Sequence, residues 1–155
     1  MASKNGGSSS ITMAVARIVV GIMFLFFAQY KLLGRDFAHG GYEKYVTGFV
    51  QESAVSVYKP FLRATLKYPV ASAYAVAVAE LLIGLSMVLG FLVRPFAMLG
   101  ALFMLNLLFS TWVLPHGVPI WRYFGNELDN IGLLLLFLLF FAHNAGQTFG
   151  LDKGK

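Results

Sequence analysis

Residues 11–33 read ITMAVARIVVGIMFLFFAQYKLL, an apolar run broken only by Arg17, Gln29 and Lys31. A helix rises about 1.5 Å per residue, so this run is long enough to cross a hydrocarbon core of about 30 Å. It is too long for the apolar part of a secretory signal. The polar leader before it, residues 1–10, offers neither a basic lead nor a cleavage site. The expectation is a first transmembrane helix over 11–33.

Three further runs read the same way. Residues 70–91 carry one charge, Glu80, and end before Arg94 and Pro95. Residues 96–114 hold Asn106 as their main polar group and stop at PHGVP, residues 115–119. Residues 130–142 include LLLLFLLFF at 133–141. The turn at 92–94 is so short that the spans it joins must be antiparallel neighbours. Lipid offers no partner to backbone N–H and C=O groups, so each span must be a helix. The fold class expected is all-α, a transmembrane four-helix bundle over residues 11–152, with a polar C-terminal tail at 143–155. Both termini then lie on one side, here called side A.

Composition agrees. The 155 residues are 58% hydrophobic and only 12% charged, about half the usual charge content of a soluble domain. That excludes a disordered chain and leaves too few charges to cover a water-soluble globule. The net charge of +5 comes from residues scattered beside apolar spans, which suits membrane lipids as partners and not nucleic acid. With no cysteine there is no disulfide exchange, thiolate-held cluster or covalent haem. Lys and Arg counts on the two sides nearly cancel under the positive-inside rule; we read side A as cytoplasmic, in a bacterial or archaeal cell membrane.

Residues 34–68 are long for a loop. Tyr42, Tyr45, Val46, Phe49, Val50, Val57, Tyr58, Phe61 and Leu62 largely follow one helical face, with Glu43, Lys44, Gln51 and Glu52 opposite. Pro60 interrupts the pattern. An amphipathic helix in the side B interface fits this spacing, either as a cap over the bundle mouth or as a gate for a lipid-soluble ligand.

Ionisable groups at membrane depth are costly and mark candidate sites. Counting from the span ends, Arg17 lies about 9 Å from side A, while Glu80 and Asn106 both fall near mid-membrane. The expected arrangement is an Arg17–Glu80 pair with the Asn106 amide beside it. It is either a polar clasp that fixes helix neighbours or a proton-accepting carboxylate next to a quinone; unpaired, lipid-facing placement is the third reading. A second cluster, Lys31 with Glu127 and Asp129, is expected at side B, the two acids serving as helix caps or as catalytic groups, with a salt bridge to Lys31 compatible with either. Arg94 and Asp152 are expected to pair in the side A headgroup zone. No histidine spacing suits a metal. His116 and His143 fall on opposite sides, so either serves only as a single axial ligand to a pigment or haem supplied within a complex.

The chain resembles the DoxX/DoxD family of small four-helix membrane proteins. The resemblance rests on Arg17 to Phe24 (RIVVGIMF) with Lys31-Leu32, on Ala79-Glu80-Leu81 with Gly84, on Gly90 to Arg94 (GFLVR) and on Gly146 to Asp152 (GQTFGLD). Here Ala28 stands where the family more often has glycine. The resemblance implies a membrane subunit of a redox or electron-transfer complex, with Arg17, Lys31, Glu80 and Arg94 as the matching polar positions. Such a subunit has no redox centre of its own and would face quinone. Two other readings remain open: a structural accessory subunit packed on helices, lipids or pigments of a larger assembly, and a small proton-linked transporter.

Overall fold

The structure is a computed structural model, and it describes residues 5–113, 119–125 and 127–152. The described residues form an all-α bundle. Its elements are α1 (Asn5–Leu33), α2 (Tyr42–Glu52), α3 (Lys59–Thr65), α4 (Pro69–Leu89), α5 (Val93–Thr111), α6 (Ile120–Gly125) and α7 (Leu128–Ala142). Three helices, α1, α4 and α5, are long and apolar enough to cross a membrane; α7 is a shorter apolar helix. At 15 residues it extends about 22 Å. Helix α1 begins inside the stretch read as a polar leader, six residues before Ile11.

The helices associate as two antiparallel pairs, α1 with α4 and α5 with α7. Lipid supplies little hydrophobic drive for helix association, so packing depends on close approach through small residues. In α1 these are Ala14, Gly21 and Ala28, one every seven residues and all buried, and Gly21 lies against Gly84 of α4, where a β-carbon would come within 3.0 Å of the Gly21 carbonyl oxygen. A β-carbon on Gly21 would sit 2.8 Å from Met87 Cβ, and one on Gly84 would sit 2.9 Å from the Leu25 side chain. In the second pair, Gly100 lies directly against the Phe137 ring. Phe24 joins the pairs at mid-depth, edge-on to Phe137 (5.3 Å between centroids) and to Phe103 (6.2 Å).

Toward side B the space between the pairs is covered by the segment between α1 and α4. The chain kinks at His39 and at Gly40, whose φ of 122° suits only glycine, and then enters α2. Pro60 opens α3 instead of interrupting a helix, because a proline in the first turn loses no hydrogen bond. The break falls earlier, at Ser53 to Val55, where the chain hooks onto the end of α5. Ser53 Oγ donates to Phe109 O (2.7 Å), and Ala54 N donates to Trp112 O (2.8 Å). Of the expected apolar face, Tyr42, Val46 and Leu62 are buried. Tyr45, Val57 and Phe61 are exposed, because the segment is two helices with separate faces.

Candidate functional site

Below α2 and α3 lies a cavity of about 680 Å³. Its roof is Phe37, Tyr42, Val46, Phe49, Phe61 and Leu62; its walls come from Phe27 and Lys31 of α1, Val76 and Ala79 of α4, and Leu99, Phe103 and Asn106 of α5. The size and the apolar, aromatic lining with a few polar groups are those of a small-molecule site.

Two polar contacts stand at its edge. Lys31 Nζ pairs with Glu80 Oε1, and the same ammonium lies 5.1 Å from the centre of the Phe37 ring. Glu80 is buried behind Lys31, and its Oε2 has no hydrogen-bond partner among the described residues. From the interfacial segment, the Tyr58 hydroxyl donates to Asn106 Oδ1 of α5. Burial, and secondarily the nearby Tyr42, pushes the Tyr58 phenol above its ordinary value. This contact ties the interfacial segment to α5.

The expected Arg17–Glu80 pair does not form, and the reason is register. The contacts of Gly21 with Met87 and of Gly84 with Leu25 set α1 against α4 so that Arg17 lies level with Gly90. Glu80 is ten residues, about 15 Å, further along α4. Lys31 falls within one turn of it. The end-counting estimate placed both spans flush at side B, whereas α4 runs past the end of α1.

Arg17 instead builds a clasp at side A. Fully buried, it donates through Nη2 to Phe149 O (3.1 Å) and Thr148 O (3.4 Å) of the C-terminal tail. The tail lies on the α4–α5 turn: Leu151 N donates to Leu89 O (3.2 Å) and Asp152 N to Gly90 O (3.0 Å). Asp152 does not pair with Arg94. Its carboxylate accepts from Leu92 N (3.0 Å) and Val93 N (2.9 Å), the first amides of α5, which lack helical acceptors and favour a negative charge. Arg94 is exposed and lies over the Phe141 ring, 5.1 Å from its centre. Gly90 and Gly150 touch within the clasp, where neither could carry a side chain. Leu92, Asn144 and Phe149, all at this end, have positive φ, a strain held in place by the surrounding contacts.

The second expected cluster also separates. Glu127 is buried and accepts from Thr111 Oγ1 (2.7 Å) and Asn130 Nδ2 (2.9 Å), joining α5 to α7. Asp129 is exposed and accepts from the Asn130 amide. Neither reaches Lys31, which faces α4 in the other helix pair. His143 caps the end of α7 at side A, while His116 lies outside the described residues. No group of three or more metal-ligating side chains occurs among the described residues. Sequence reasoning missed Phe37 as a cavity group, Tyr58 as the partner of Asn106 and Asp152 as a cap. Tyr58 was visible in the amphipathic pattern, but its partner on α5 was not.

No curated protein and no solved structure matches the chain. A family model described as DoxX matches residues 12–113. That match runs from α1 through α5 and includes Arg17, Lys31, Tyr58, Glu80 and Asn106, while α7 and the tail fall outside it. Matched over well more than half its length, the chain belongs to the DoxX family of integral membrane proteins.

Proposed function

We propose that this chain is the membrane subunit of a redox complex and that its side B cavity holds a lipid-soluble quinone. The cavity carries the proposal: about 680 Å³ of mainly aromatic and aliphatic lining with an ammonium at its wall. A ring with a long apolar tail matches that lining, and the exposed Phe61 and Leu102 at its rim suit entry from the bilayer. A bound quinone would supply the two-electron chemistry, with the electrons coming from a partner subunit. The residues of this chain bind, orient and manage protons. Lys31 presents an N–H to a ring oxygen, while the Tyr58–Asn106 contact keeps the roof closed over the ring and excludes water. Glu80, with an unengaged oxygen beside Lys31, is positioned to hold a proton during quinol formation or oxidation. Partner subunits and lipids surround the bundle, and we place its termini in the cytoplasm of a bacterial or archaeal cell.

The experiment is purification from native membranes in mild detergent, followed by identification of co-purifying proteins and solvent-extracted quinones. Near-stoichiometric quinone with a redox enzyme supports the proposal. Recovery of a quinone-free complex that stays active without this chain would make it scaffolding, and a lone, quinone-free bundle would point to transport.

A further inference from the structure

We infer that Glu80 sets the charge of the ligand the cavity accepts. The site admits a neutral molecule with a hydrogen-bond-accepting oxygen and refuses an anionic amphiphile of similar length. This rests on reading the cavity as a quinone site, and it names what selects the ligand there.

The argument begins with Lys31, the cation among the described residues that line the cavity. An unpaired ammonium in an apolar cavity would be a receptor for carboxylates and phosphates. Such ligands are at hand, because the exposed Lys44 and Arg63 of the interfacial helices lie where anionic headgroups gather. Selection against them therefore has to occur inside. Glu80 provides it: its carboxylate is buried, is absent from the cavity lining and is paired with Lys31, so the two together are neutral. An anionic head entering here would meet a cation already compensated and would bring an unpaired charge against aromatic walls. A neutral carbonyl carries no such penalty. One of the three ammonium hydrogens goes to Glu80, and the group faces the Phe37 ring. A donor therefore remains for a ligand oxygen. The carboxylate acts through Lys31 and is a specificity residue that need not touch the ligand.

The test compares two probes, decylbenzoquinone and dodecanoate, by equilibrium binding to the full chain in phosphatidylcholine nanodiscs. The wild type is expected to bind the quinone at least ~10-fold more tightly than dodecanoate. Glu80→Gln is expected to shift the preference toward dodecanoate, tightening dodecanoate at least ~10-fold relative to the quinone. The double variant Lys31→Met with Glu80→Gln restores neutrality without a buried lone charge. It should weaken the quinone and still refuse dodecanoate, and it keeps the test decisive if Glu80→Gln alone does not fold. If the wild type binds neither probe, the quinone reading fails. If it binds the quinone but prefers it no more than dodecanoate, or if the double variant admits dodecanoate, charge selection by Glu80 is overturned. A folded Glu80→Gln with unchanged preference overturns it equally.

Discussion

Lys31 and Glu80, 49 positions apart in the chain, pair across the α1–α4 interface at the wall of the cavity. Arg17, the other cation of the first span, takes no part and serves the C-terminal tail. The two basic residues of one helix thus do separate work at its two ends: one faces the cavity and the other locks the fold.

The pair should respond asymmetrically to truncation. The Lys31 side chain is 20% exposed and that of Glu80 only 4%. After Glu80→Gln, Lys31 stays at the cavity wall partly exposed, whereas Lys31→Met strands a buried carboxylate. Lys31→Met should therefore destabilise by about 3 kcal/mol, Glu80→Gln by less, and the double variant should recover most of the loss. Unfolding in mixed detergent micelles across this four-member cycle reads the coupling. Simple addition of the two single losses would contradict the pairing.

The clasp at side A gives a second expectation. Arg17→Met removes the donor to Thr148 and Phe149 carbonyls and should release the tail, at a cost of about 2–4 kcal/mol. Hydrogen exchange at the Leu151 and Asp152 amides should accelerate, because their bonds to Leu89 and Gly90 depend on the same docking. Unchanged exchange in the variant would show that Arg17 is not what holds the tail.

Asp152 acts as a cap supplied from a distance. Asp152→Ala should cost about 1–2 kcal/mol, and Asp152→Asn less, since one acceptor oxygen survives. Thermal unfolding in detergent separates the three proteins. A neutral Asp152→Ala would mean that water replaces the carboxylate at the start of α5.

The roof should loosen at alkaline pH. The Tyr58 phenol has an ordinary value of 10.0 and is raised in the folded chain, so its contribution to stability is full below 10 and is lost as pH climbs through the higher folded value. Ultraviolet titration of the phenolate band should show a step above pH 10 that Tyr58→Phe abolishes. A late step that survives the substitution belongs to a different residue.

Much of this fold was legible in the sequence because a span needs only length and apolarity, which residues 11–33, 70–91 and 96–114 display openly. The partnerships were not. Depth counted from span ends assumes that helices start level, but the small-residue contacts of Gly21 and Gly84 slide α4 past α1, which moved Glu80 from Arg17 to Lys31. Asp152 illustrates a second limit: a carboxylate shows its charge in a sequence, but only the docked tail brings it to the free amides of Leu92 and Val93.

The most direct measurement is photo-crosslinking of an azido-quinone to the purified chain in nanodiscs, mapped by mass spectrometry. Labelling should concentrate on residues 27–31, 42–49 and 99–110, should be displaced by excess decylbenzoquinone, and should fall sharply in Ala79→Trp, which fills the cavity from α4. Labelling that is diffuse over the lipid-facing surface, or that persists undiminished in Ala79→Trp, would contradict the account.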